Sequence, residues 1–240
     1  MSTAPEGPGT RGVPVNCDAV PYDAVILAGG RAERLGGLDK PGALVAGRPL
    51  IEHVASAVSG AGRLIVVGPA RDLTREPAMA DGEPPAGERG ALRGETAALG
   101  AVVFTSEDPP GGGPVPALRA GLAEVRARWL ALLAADLPFL VADHVAALFR
   151  AARAGETTTA AAGAVLVDDG GREQWLTGVW RTDALVDALD AYEGRSLHRL
   201  LGPLEPVRVH LPAAEDGRAP WFDCDTIDDL GAARERASGA

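Results

Sequence analysis

Residues 23–40 read Asp-Ala-Val-Ile-Leu-Ala-Gly-Gly-Arg-Ala-Glu-Arg-Leu-Gly-Gly-Leu-Asp-Lys. Ala24 to Ala28 form an unbroken apolar run, and Gly29 and Gly30 cut it off. A short run without polar alternation suits a strand buried on both faces, as in parallel sheets. Two glycines behind it let backbone approach a ligand closely, and N–H groups turned inward make a nest for an anion. Between Gly29 and Arg48 the chain carries Arg31, Arg34, Lys40 and Arg48 against Glu33 and Asp39. That local positive excess, in a chain of formal charge -10, points to phosphate. No Gly-Lys-Ser/Thr closes the loop, and the glycines are not spaced Gly-x-Gly-x-x-Gly. The stretch is therefore neither a Walker A loop nor a dinucleotide fingerprint.

Outward from this strand, apolar runs at 64–67, 101–104, 129–135, 164–167 and 207–209 predict further strands. Helices are predicted between many of them. Val115, Leu118, Leu122 and Val125 recur at helical spacing and define a helix over 115–128. Others are expected at 139–154, 183–193 and 226–237, the last capped by Asp225 or Thr226 with Asp228 and Asp229 in its first turn. Strands alternating with helices predict an α/β fold, a mostly parallel sheet covered on both faces. Ligands in such folds bind beyond the carboxyl ends of the strands. Residues 1–20, rich in Pro and Gly, read as a disordered tail. Residues 69–100 hold ten charged residues and no Phe, Trp or Tyr, and read as a mobile surface insertion in a single domain spanning 21–240.

Composition narrows the function. No uninterrupted apolar stretch reaches the roughly 18 residues of a membrane helix, and no charged-then-apolar leader opens the chain, so a cytoplasmic protein is expected. Cys17 and Cys224 are too few for a disulfide framework or a four-ligand zinc site. The negative charge argues against nucleic acid and anionic membrane as partners.

Three further motifs carry chemistry. Asp136, in Ala134-Ala135-Asp136-Leu137-Pro138-Phe139, ends an apolar strand where a carboxylate would face the ligand crevice. It suits Mg2+, which takes one or two carboxylates plus substrate phosphates, or it caps the following helix. Glu107 to Pro114 contains Gly111, Gly112 and Gly113 ahead of a helix, which suits close approach to a base or ribose, or a plain linker. Asp223 and Asp225 alternate at strand spacing and would point to one side, as a metal ligand or an acceptor contact, unless Asp225 is a helix cap. His53, His144, His198 and His210 are scattered, and no Ser or His nucleophile stands out.

Leu27 to Gly30, Arg34-Leu35-Gly36-Gly37, Asp39-Lys40 and Gly47-Arg48-Pro49-Leu50 closely resemble a known signature: Leu-Ala-Gly-Gly, Arg-Met-Gly-Gly, Asp-Lys, Gly-x-Pro-Leu. It is that of the MobA-like nucleotidyltransferase family, which makes the dinucleotide form of the molybdenum cofactor. The resemblance continues through Gly113-Pro114, Asp136 to Phe139 and Asp225-Thr226, across essentially 22–237 outside the insertion. It implies a Rossmann-like three-layer α/β/α sandwich of the nucleotidyltransferase, glycosyltransferase-A-like type. It also implies Mg2+-dependent transfer of GMP from GTP to the phosphate of molybdopterin, with release of pyrophosphate. Leu27, Ala28, Gly29, Gly30, Arg31, Gly37, Lys40, Asp108, Gly113 and Asp136 would then contact the nucleotide. Lys40, Arg34 and Asp136 would act in catalysis, and Asp136 with Asp225 would hold the metal. Arg195 and Asp223 would face the acceptor. Transient partners from the cofactor pathway are also implied.

The chain departs from the family pattern in two places. Gly68 stands where members often have a base-contacting Asn, and Asp223-Cys224-Asp225 where some have Asn-x-Asn. These departures leave open another nucleoside triphosphate, or a sugar or alcohol phosphate acceptor. A non-catalytic nucleotide-binding module is the other alternative, against which the presence of both Lys40 and Asp136 counts.

Overall fold

The computed structural model describes residues 20–29, 39–71, 73, 101–108 and 111–239. The expected tail, save Val20, and the expected insertion, save 69–71 and 73, lie outside them.

The buried run that opens the domain is strand β1 (Tyr22–Leu27). Next come the hairpin strands β2 (Leu44–Val45) and β3 (Arg48–Pro49), helix α1 (Leu50–Ala57), and strands β4 (Arg63–Val67) and β5 (Ala101–Thr105). Helix α2 (Pro114–Leu122) leads to β6 (Trp129–Ala134), α3 (Ala142–Thr158), β7 (Gly163–Val167) and β8 (Glu173–Arg181). Helices α4 (Thr182–Asp190) and α5 (Leu197–Leu201), strand β9 (Val207–His210) and helix α6 (Ile227–Ser238) complete the chain. The main sheet runs β5-β4-β1-β6-β8-β7-β9. It is parallel from β5 through β6 and between β7 and β9, and β8 runs against both of its neighbours. Helices cover both faces, so this is the mostly parallel three-layer sandwich expected from the alternation.

One face buries Ile51 and Val54 of α1 and Val145, Leu148 and Phe149 of α3 against Ala24, Ile26 and Leu133. The other buries Leu118 of α2, Leu185 of α4 and Leu200 of α5 against Val25, Leu132 and Val165. Alternate residues of β1 thus serve opposite cores, which is why the run reads as uniformly apolar. A third, smaller cluster joins Ala43, Val45 and Leu50 to Phe139, Cys224, Leu230 and Ala233. Each large apolar side chain in it contributes about 1.5–3 kcal/mol when fully buried. The cluster ties α6 and the β2–β3 hairpin to the end of β6.

The sequence pattern gives no range for α1, β2, β3 or α5, and two further elements differ from it. Helix α2 stops at Leu122 rather than continuing to 128. Asp23, buried at the start of β1, accepts the N–H groups of Arg126 (2.7 Å) and Ala127 (2.9 Å) and so holds this segment in the turn that leads into β6. Strand β8 was not signalled. Glu173 to Leu176 are half-buried while Thr177 to Trp180 are buried, so neither alternation nor a uniform apolar run marks it.

Candidate functional site

The chain steps outward from β1 through β4 to β5, then returns to β6 on the other side of β1. The carboxyl ends of β1 and β6 therefore flank a crevice at the reversal of strand order, where open α/β sheets bind ligands. The exit of β1 is fixed on both sides. Ala28 donates its N–H to Val67 O (2.8 Å), and Ala135 donates to Leu27 O (3.2 Å). Ala28 and Gly29 thus sit at the mouth of the crevice.

Gly68 stands behind them with φ +152°. A Cβ built there would lie 2.9 Å from Ala28 C and 3.0 Å from Ala28 O. Only glycine lets the end of β4 pass this close to the Ala28–Gly29 peptide. The missing side chain at 68 is a packing requirement of this loop.

A carboxylate reaches the same place from β5. Glu107 is 9% exposed, its Oε1 accepts the N–H of Gly111 (2.9 Å), and its Oε2 lies 3.7 Å from where a Cβ on Gly29 would sit. Asp108, the position suggested by the family signature, is exposed. The sequence carries both acids side by side, and the direction of each was not legible. Gly113 precedes α2 with φ +97°, next to Pro114 in its first turn.

On the other side of the crevice Lys40, Asp136 and Asp225 come together. The Lys40 ammonium pairs with Asp136 Oδ2 and with Asp225 Oδ1, the latter at 2.5 Å. Their side chains are 22%, 14% and 53% exposed respectively. The third core cluster explains the convergence. Ala43 and Val45 follow Lys40, Phe139 follows Asp136, and Cys224 precedes Asp225, and all four are buried together. Cys224 also donates its N–H to Asp136 O (3.2 Å). Burial pulls the Lys40 pKa down, but the charges of Asp136 and Asp225 outweigh it and hold the group above its ordinary value. Desolvation, then the charges of Asp225 and Asp136, raise the Asp223 carboxyl.

The segment 222–225 pairs in no sheet among the described residues. Cys224 points inward between the two acids. Thr226 caps α6: its Oγ1 accepts the N–H of Asp229, and its own N–H donates to the Asp229 carboxylate. With the cap supplied by Thr226, the Asp225 carboxylate reaches Lys40.

Asp136 Oδ1 is buried and accepts no hydrogen bond among the described residues. Among the described residues no group of three His, Cys, Asp or Glu forms a ready-made metal site. An orphaned carboxylate oxygen beside a second carboxylate fits a hard divalent cation that completes its shell with water and phosphate. Arg195 is exposed in the loop leading into α5. Gly30, Arg31, Arg34 and Gly37 lie outside the described residues.

Residues 24–209 match the MobA-like NTP transferase domain family. The molybdenum cofactor guanylyltransferase of Bradyrhizobium sp. (strain ORS 278) is 31% identical over 228 residues, 92% of this chain and 94% of that protein. The molybdenum cofactor guanylyltransferase of Acidiphilium cryptum (strain JF-5) is 30% identical over 219 residues, 88% of this chain and 92% of that protein. Among solved structures, molybdopterin-guanine dinucleotide biosynthesis protein A from Archaeoglobus fulgidus superposes with a TM-score of 0.58 at 19% identity, over 91% of this chain and 100% of that one. 2-C-methyl-D-erythritol 4-phosphate cytidylyltransferase from Thermus thermophilus gives 0.56 at 20% identity, over 91% and 100%. The two structures share the fold.

Proposed function

The chain belongs to the MobA-like NTP transferase family and is a nucleotidyltransferase, and on that premise we propose that it transfers GMP from GTP to the phosphate of molybdopterin or the molybdenum cofactor, releasing pyrophosphate. The observation that carries this reading is the Lys40 ammonium held between Asp136 and Asp225 at the strand ends.

Leu27, Ala28 and Gly29 offer backbone to the nucleotide, and Gly30, Arg31 and Gly37 continue the loop. We assign recognition of the base to Glu107. Guanine presents a ring N–H and an adjacent amino group along one edge, and a carboxylate accepts both. Asp108, one residue on, reaches the exposed side of the same site, and Gly113 leaves room for the ribose at the start of α2.

Lys40 and Arg34 neutralise the triphosphate, and Lys40 exchanges its carboxylate partners for phosphate oxygens as the nucleotide enters. Asp136 and Asp225 would hold Mg2+, which screens the triphosphate and stabilises charge on the α-phosphoryl oxygens. The acceptor phosphate is already ionised at neutral pH, so no general base is required. Catalysis then rests on alignment and charge neutralisation, with the acceptor oxygen attacking the α-phosphorus in line. Asp223 and Arg195 flank the acceptor side. Among the described residues no helix is long and apolar enough to cross a membrane. A cytoplasmic enzyme acting on small molecules, meeting cofactor-pathway proteins transiently, accords with that.

The test is pyrophosphate release from purified protein with Mg2+ and each of GTP, CTP, ATP and UTP, with and without molybdopterin. Release that needs GTP and the pterin together is expected. Release with another nucleotide would retain the reaction type and overturn the substrate.

A further inference from the structure

Arg71 follows the end of β4 and belongs to the stretch whose composition suggested a surface insertion. Its side chain is nonetheless only 15% exposed. The chain is held on either side of it. Gly68 donates its N–H to Thr105 O (2.8 Å) and passes close to the Ala28–Gly29 peptide, and Leu73 packs against the core on the α1 and α3 face. The Arg71 guanidinium is therefore carried on backbone anchored to the sheet.

From there it reaches toward the Lys40 side of the crevice. Nη1 donates to both carboxylate oxygens of Asp39, at 3.2 and 3.0 Å. Asp39 precedes Lys40 and its side chain is 65% exposed, so packing does little to fix it. Its carboxylate does not cap the turn Lys40–Gly42 that it leads. It lies over Gly42, where any Cβ would collide with Oδ2 and stand 3.8 Å from Arg71 Nη1. The glycine leaves room for the carboxylate to turn back toward Arg71. Behind Lys40 the chain is held by packing instead, since Ala43 and Val45 are buried in the third cluster. Lys40 thus stands between an apolar anchor on one side and an ion pair on the other.

We propose that Arg71 is a positioning residue for nucleotidyl transfer: by holding Asp39 it fixes the turn that aims the Lys40 ammonium into the crevice. It acts through Asp39 and not on the phosphates. A guanidinium suits this task because it stays charged at any working pH and presents its donors in a fixed plane. The role rests on the proposed function, in which Lys40 neutralises the triphosphate.

Lys40 is the only lysine in the chain, which makes its side chain separately observable by NMR. Protein grown on carbon-13-labelled lysine carries the label at Lys40 alone, and the two Hε protons report whether the side chain is fixed. They are expected to resonate apart in wild type and to merge in Arg71→Gln and in Asp39→Asn, where the side chain averages over rotamers. No nucleotide is needed for this reading. In pyrophosphate-release assays each single variant should lose about 10- to 100-fold in kcat, the scale of a misplaced reacting group, with Mg2+–GTP affinity changing less. The double variant should lose no more than either single one, because both break the same link. Arg71→Lys, assayed by kinetics only, should recover part of the loss. Asp39→Asn alters an exposed side chain and keeps the fold whatever befalls Arg71→Gln. Unchanged Hε signals in both variants would overturn the proposal, as would losses that add in the double variant. Nucleotide affinity lost by Arg71→Gln but kept by Asp39→Asn would make Arg71 a phosphate ligand and overturn it too. A wild type that binds no Mg2+–GTP would instead strike the proposed function, and the Hε signals would still decide whether Arg71 fixes Lys40.

Discussion

Lys40 and Asp225 lie 185 residues apart in the chain, and 2.5 Å separates Nζ from Oδ1. The same ammonium pairs with Asp136, so one cation bridges two carboxylates at the mouth of the sheet. In the proposed reaction a divalent cation would compete with Lys40 for the acids, and a triphosphate would compete with the acids for Lys40.

Removing Lys40 or Asp136 is expected to lower kcat by roughly 100- to 1,000-fold, the usual cost of losing one preorganised charge in a transition state. Asp225→Asn should fall less, because Asp225 is 53% exposed against 14% for Asp136. Its effect should shrink as Mg2+ is raised, because the variant alters only one of the two carboxylates proposed to hold the metal. Initial rates of pyrophosphate release at several Mg2+ concentrations check the ranking. An Asp136→Ala enzyme with wild-type turnover would refute the scheme.

Glu107→Gln keeps a carbonyl oxygen for the Gly111 N–H but no longer offers two acceptors to a base edge. The ratio of kcat/KM for GTP over other nucleotides should drop by about 10- to 100-fold, the scale of losing one charged hydrogen-bond pair. Asp108→Ala, altering an exposed side chain, should shift that ratio far less. Competition assays with paired nucleotides decide which acid reads the base.

Gly68→Ala forces a Cβ to within 2.9 Å of Ala28 C at φ +152°. Strain of this kind costs about 1–3 kcal/mol. Urea denaturation should show the loss, and KM for the nucleotide should rise more than kcat falls, since the displaced atoms belong to the loop proposed to receive it. Full stability and unchanged KM would show that the close approach is not needed.

Alkaline stability follows from a buried thiol and a half-buried phenol. Burial raises the Cys224 thiol from 9.0 to about 12 and the Tyr22 hydroxyl from 10.0 to about 12. The folded protein thus holds both protons more tightly than the unfolded chain. Their contribution is complete below about pH 9 and is lost as pH rises toward 12. Urea midpoints should fall from pH 9 upward, and Cys224→Ala should flatten part of that slope. An unchanged slope in the variant would contradict the assignment.

Much of the molecule was readable from short stretches. The run Ala24 to Ala28 followed by Gly29 declared a buried parallel strand, because burial on both faces and glycine punctuation are local signals. Asp136 after Trp129 to Ala135 declared a carboxylate at a strand end for the same reason. Thr226 and Asp225 were both legible as candidate caps, but not which of them would be left to reach another residue. Strand β8 was hidden because Glu173 to Leu176 are half-buried while Thr177 to Trp180 are enclosed, so no single pattern runs along it. Choosing Glu107 over Asp108 as the acid that turns toward Gly29 required the fold, since a one-residue offset at a strand end reverses which way a side chain faces. The meeting of Lys40, Asp136 and Asp225 was decided by tertiary structure alone. It depends on Ala43, Val45, Phe139 and Cys224 being buried in one cluster, and contacts between residues so distant in the chain leave no periodicity in the sequence.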